Sequence, residues 1–223
     1  GEMSACDVRA VVERVSGASS AVAAASPRQR RRWLHAVAAS LSANTAELVE
    51  LAEVETALGY PRLTAEVSRA AGQLRFYGDV AVEGSYLAAT IDRPTSTTPG
   101  LARVNQPLGP VAVFGASNFP FGFGVLGNDF GSALAAGCPV LAKSHPAHPL
   151  LSDRLARLAR TALREAGAPE GSFEMVVGYD AGVAIVRDER VAALAFTGSQ
   201  AAGLALWRIA NERRTVIPTY AEM

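Results

Sequence analysis

A chain of 223 residues that is 49% hydrophobic and 19% charged has ordinary globular composition, with room for one large domain or two small ones. Lys and Arg together number 21, as do Asp and Glu, so no net field draws the protein to nucleic acid or an anionic membrane. Neither a signal peptide nor a run of about 18 apolar residues is present, and Cys6 and Cys138 lack His or Cys neighbours at metal-ligand spacing, which disfavours a disulfide framework or a zinc site.

A cytoplasmic protein that handles small ligands is therefore expected, with Gly1-Glu2-Met3-Ser4-Ala5 reading as an expression remnant and Cys6 preceding the folded pattern. The first third is Ala-rich and helical in pattern. Trp33, Val37, Leu41, Leu48, Leu51 and Val54 recur near helical spacing, Gly59-Tyr60-Pro61 reads as a stop, and a further helix is expected from Ala65 to about Tyr77. Arg28, Arg30, Arg31 and Arg32 follow the helix opening Ser26-Pro27 and read as a solvated face. Between Gly84 and Pro107, Thr, Ser, Pro and alternating apolar residues predict an extended hairpin or arm.

From Gly109 strands and helices alternate. Val111 to Phe114 reads as a buried strand, Phe123 to Ala136 as a helix, Pro139 to Ala142 as a strand, and Leu150 to Ala166 as a helix. Strands at Phe173–Val177, Val191–Phe196 and Val216–Tyr220 alternate with helices at Ala181–Arg187 and Gln200–Asn211. This rhythm requires parallel pairing with right-handed crossovers. The expected fold is α/β, a doubly wound, Rossmann-like parallel sheet of five strands preceded by a helical layer and the arm. Residues 1–83, 84–107 and 108–223 form the three divisions.

In such a sheet ligands bind beyond the carboxyl ends of the strands. Those positions carry Ala116-Ser117-Asn118, Lys143-Ser144-His145, Gly178, Thr197-Gly198-Ser199 and Glu222. Asn118 suits either a loop cap or a donor to a developing oxyanion. Lys143 suits either a strand end reaching water or a point charge for a ribose or its 2'-phosphate. His145 and His148, separated by prolines at 146 and 149 from any helix that would align them, read as loop-packing residues. Gly198-Ser199 opens a helix that could cap itself or hold a pyrophosphate. Glu222 is either a solvated carboxylate or a general base. Of Phe119, Phe121 and Phe123, at least two are expected in the core.

Taken together, Pro107 to Phe114 followed by Ala116-Ser117-Asn118-Phe119-Pro120, then Ala135-Ala136-Gly137-Cys138-Pro139-Val140-Leu141-Ala142-Lys143, Phe196-Thr197-Gly198-Ser199 and Ala221-Glu222-Met223, resembles the aldehyde dehydrogenase superfamily. The resemblance runs from about Arg28 to the last residue. Its wording is most similar to the branch of 2-oxoglutarate semialdehyde (2,5-dioxovalerate) dehydrogenases and NADP-using fatty aldehyde dehydrogenases. It implies that Asn118 is the oxyanion donor and Glu222 the water-activating base. It also implies that Ala116, Ser117, Lys143, His145, Gly178, Thr197, Gly198 and Ser199 surround NADP or NAD.

NADP is favoured because Pro146 stands where many NAD-preferring members carry a glutamate for the ribose hydroxyls. The family nucleophile, a cysteine, is expected beyond Met223, since Cys138 reads as a small packing residue. The resemblance thus implies the cofactor-binding half of an enzyme that oxidises an aldehyde, such as 2-oxoglutarate semialdehyde, and that is inactive as this chain alone. A homo-oligomer built through the arm is implied as well. A free-standing nucleotide-binding or regulatory module, or an assembly protein using the arm, are the alternatives.

Overall fold

The computed structural model describes residues 3–223. Eight α-helices, α1 (Ala5–Ala24), α2 (Pro27–Ala43), α3 (Thr45–Thr56), α4 (Tyr60–Glu83), α5 (Asn128–Ala135), α6 (Pro149–Glu165), α7 (Tyr179–Arg187) and α8 (Gln200–Asn211), accompany two sheets. Strands β1 (Thr90–Asp92) and β2 (Leu101–Arg103) form a small antiparallel hairpin. Strands β3 (Val111–Phe114), β4 (Val140–Lys143), β5 (Phe173–Val176), β6 (Ala193–Thr197) and β7 (Thr219–Glu222) form a parallel sheet in the order β5-β4-β3-β6-β7. The α/β fold with five parallel strands behind a helical N-terminal region is the one expected.

The strands are short apolar runs because both faces are covered. Val111, Val113, Val140, Ala142 and Ala195 face the core shared with α2, α4, α5 and α6. Ala112, Phe114, Leu141, Leu194 and Phe196 face a second core with Val8 to Val15 of α1 and residues of α7 and α8. The chain leaves β3 in one direction to make β4 and β5, then crosses back to make β6 and β7 on the other side. That reversal between β3 and β6 is a topological switch point, where strand ends diverge and leave a crevice.

Several boundaries differ from the sequence reading. Residues Ala5–Ala24 are an integral helix: the Ser4 hydroxyl accepts from the Asp7 amide, and Val8, Val11, Val12, Val15 and Val22 form its buried stripe. Cys6 therefore lies in the first turn of α1, exposed. Arg14 of that helix and Arg160 of α6 both pair with Glu174 of β5, at 3.2 and 2.8 Å.

Gly59-Tyr60-Pro61 is a helix start. Gly59, at φ 92°, is the N-cap of α4 and Pro61 sits in its first turn, where a missing N–H costs nothing. Arg30 is buried rather than part of a solvated face, donating to the Ala25 carbonyl at 2.7 Å and the Tyr86 hydroxyl at 2.9 Å. Arg28, Arg31 and Arg32 are exposed as expected.

The last strand begins at Thr219, three residues later than predicted, because Pro218 has no amide for the ladder and offers only its carbonyl, to Leu194. Glu222 is thus the end of an edge strand, level with Thr197. The helix expected from Phe123 begins only at Asn128, after a folded loop. No helix among the described residues is long and apolar enough to cross a membrane.

Candidate cofactor and reaction site

Beyond the carboxyl ends of β3, β4, β6 and β7 lies a cavity of about 630 Å³. Its wall includes Asn118, Glu222, Ala116, Ser117, Lys143, His145, Thr197, Gly198 and Ser199, all singled out from the sequence. Gly178 stands outside this wall as the N-cap of α7. Pro146 is also at the surface of the cavity, and Glu222 is the only carboxylate among the described lining residues.

The loop after β3 presents Asn118. The Ala116 amide donates to the Phe123 carbonyl and the Phe123 amide to the Phe119 carbonyl, both at 2.9 Å, so the segment closes on itself. Such closure needs a residue without a side chain at position 124, where a Cβ would stand 1.9 Å from the Pro120 carbonyl oxygen. Arg62 of α4 donates to the Asn118 carbonyl, and its guanidinium lies 4.9 Å from the Phe119 ring centre. No hydrogen bond joins the Asn118 side-chain amide to another described residue, so it does not cap its own loop. Of the three phenylalanines only Phe121 is in the core. Phe119 and Phe123, with rings 5.8 Å apart, are half-buried at the cavity wall, because the closed loop turns them outward.

After β4, His148 is buried, its ring nitrogens 3.2 Å from the Ser152 hydroxyl and 3.4 Å from the Ala116 carbonyl. His145 stacks on it at 5.4 Å. No group of three or more His, Cys, Asp or Glu able to hold a metal occurs among the described residues. Burial, followed by the neighbouring His148 and the Lys143 ammonium, pushes the His145 imidazole down to about 4 from an ordinary 6.5. The ring is neutral in the physiological range. Because the unfolded chain takes the proton first, acidification through the window from 6.5 to about 4 costs stability. Urea unfolding of the wild type and His145→Gln should therefore diverge across that window, with the wild type losing more, whereas parallel curves would remove this account of His145.

After β6, Ser199 is the N-cap of α8 and its hydroxyl accepts from the Ala202 amide. A helix start leaves further amides pointing outward with the positive end of the dipole. The Gly198 amide is already committed to the Glu222 carbonyl at 3.1 Å. Gly198 consequently has no amide left to offer, and the amides free at this helix start are those of α8 itself. Asp129, in the first turn of α5, is a neighbour the sequence reading missed. Burial and then the Glu222 charge raise its carboxyl above the usual range, against a lowering contribution from the Thr197 hydroxyl. Also missed were Val183 of α7 and Leu206 and Ile209 of α8, which make the cavity's apolar slot. They carry no signal beyond an ordinary helix face.

A sequence profile described as "Aldehyde dehydrogenase family" matches residues 1–223. The chain is 42% identical over 230 residues to alpha-ketoglutaric semialdehyde dehydrogenase 2 of Azospirillum brasilense, covering all of this chain and 44% of that protein. It is 37% identical over 201 residues to alpha-ketoglutaric semialdehyde dehydrogenase of Acinetobacter baylyi, covering 88% and 38% respectively. An NAD-dependent aldehyde dehydrogenase from Sinorhizobium meliloti superposes over the whole chain and 43% of its own, with a TM-score of 0.87 and 30% identity. The chain spans less than half the length of these relatives.

Proposed function

The chain belongs to the aldehyde dehydrogenase family, and from that premise we propose that it is the cofactor-binding half of an enzyme that oxidises an aldehyde to a carboxylate with NADP or NAD. Residues 108–223 are its Rossmann-like core, 1–83 its helical layer and 84–107 its arm. The observation that carries the reading is the convergence of Asn118, Lys143, the start of α8 and Glu222 on one cavity from four separate strand ends.

A dinucleotide fits the chemistry of this wall. The slot of Val183, Leu206 and Ile209 suits a flat base, Lys143 a ribose or its phosphate, and the amides opening α8 a pyrophosphate. Ala116, Ser117, Thr197 and Gly198 approach it with small side chains or none, and Gly178 sets the start of α7 alongside. When bound, NADP or NAD would supply the hydride acceptor for the oxidation. Asn118 donates to the aldehyde oxygen as negative charge develops there, and Glu222 takes a proton from the water that hydrolyses the acyl-enzyme. The attacking thiolate comes from elsewhere, since neither exposed Cys6 nor buried Cys138 lines the cavity. A semialdehyde related to 2-oxoglutarate is the favoured substrate, on the similarity to the two alpha-ketoglutaric semialdehyde dehydrogenases. The β1–β2 hairpin, with Ile91 and Leu101 exposed, supports assembly into a homo-oligomer.

NADP is favoured over NAD because Lys143, His145 and Pro146 meet the ribose end without a carboxylate to repel a 2'-phosphate. Titration calorimetry of the 223-residue chain tests this. NADP should bind more tightly than NAD, and Lys143→Ala should weaken NADP by about tenfold, the scale of one charged hydrogen bond, while changing NAD less. Equal affinities would refute the preference, and no binding of either nucleotide would refute the cofactor site. In the full-length product, NADP binding with no aldehyde-dependent NADPH formation would replace the enzyme reading by that of a nucleotide-binding regulatory module.

A further inference from the structure

Glu66 is 6% exposed and belongs to none of the groups assigned above. It projects from α4 one turn after Arg62, on the same helical face. Its Oε1 accepts from two successive amides, Phe121 and Gly122, both at 2.8 Å. Its Oε2 is buried with no hydrogen-bond partner among the described residues. Arg62 holds the same segment from its other end, through the Asn118 carbonyl and the Phe119 ring. Two side chains of one helix thus grip the peptide from position 118 to position 122 at both ends.

Burying a carboxylate is a costly means of fastening a loop, because its desolvation is offset only by the bonds it makes. An apolar side chain there would avoid that cost but would take away the acceptor of two buried amides and could not fix their direction. The two bonds satisfy buried amides and, by fixing their direction, also set the position of the loop. The element positioned is the turn that carries Asn118, a residue of the cavity wall.

We propose that Glu66, with Arg62 as the opposing jaw, is a positioning residue for the oxyanion donor Asn118. This rests on the role given to Asn118 above. Neither side chain touches substrate; both act through the backbone, and a displacement of about 1 Å at a reacting group can cost about 100-fold in rate.

The test is the pre-steady-state burst of NADPH in the full-length enzyme, read beside NADP affinity. Glu66→Ala should slow the burst by about 100-fold with NADP affinity unchanged. Glu66→Gln, whose amide oxygen can accept the same two bonds, should restore most of the rate. In an Asn118→Ala background, Glu66→Ala should cost nothing more, since the group it positions is gone. An equal loss in both backgrounds would show that Glu66 acts only through general stability, and a full burst in Glu66→Ala would overturn the proposal directly. A normal burst in Asn118→Ala alone would refute the role of Asn118 itself, which separates that failure from failure of the clamp. Should Glu66→Ala not fold, Arg62→Ala probes the exposed jaw: a loss of about tenfold that vanishes in the Asn118→Ala background supports the clamp, and no loss overturns it.

Discussion

Asn118→Ala in the full-length enzyme is expected to slow hydride transfer by about 10²–10³-fold, the range for removing one preorganised oxyanion donor. Asn118 lines the cavity, is exposed, and has no hydrogen bond from its side-chain amide to another described residue, so the substitution removes a donor without opening a hole in the core. The bond from Arg62 reaches the backbone carbonyl of this residue and survives it. Thermal stability and NADP affinity should therefore stay near wild type while the burst rate collapses. Loss of nucleotide binding in parallel would mean that the loop, not the donor, had been damaged.

Glu222→Gln should separate the two halves of the reaction. The burst of NADPH should persist, and steady-state turnover should fall by about 10²–10⁴-fold, the range for losing a positioned general base. The change is isosteric and sits at the end of an edge strand, where the backbone carbonyl keeps its bond from Gly198. An independent readout accompanies it. The Glu222 charge is one cause of the raised Asp129 carboxyl, so in Glu222→Gln the Asp129 carboxyl resonance should titrate closer to its ordinary range. The shift should shrink without disappearing, because burial is the larger cause. A burst lost together with turnover would place Glu222 in the first half of the reaction and contradict its role as hydrolytic base.

The parts of the site legible in the sequence share one property. Asn118, Lys143, Ser199 and Glu222 follow or end apolar runs recognisable from composition alone, and a parallel sheet brings all such ends to one side. Tyr60 and Pro61 were misread because a glycine before a proline punctuates the chain equally well at a stop and at a start. Only the packing of α4 against α2 and α3 decides between them. The valines of α1 carried a helical period, yet the helix matters only because it lies along β5 and under α7, contacts no local pattern announces.

Glu66 shows the limit most plainly. Its amide partners are 55 and 56 residues away, and in the sequence it is an ordinary glutamate on a helix face. The alternation of apolar runs with helical periods was enough to determine the α/β class and the strand ends where chemistry should lie, because those features depend on local periodicity and a handedness rule. Tertiary structure alone decided that Arg30 is buried, that His145 is held neutral, that Asp129 faces Glu222 and that Glu66 grips the Asn118 loop. Each of these depends on which distant groups exclude water or supply charge, and that information exists only once the chain has closed on itself.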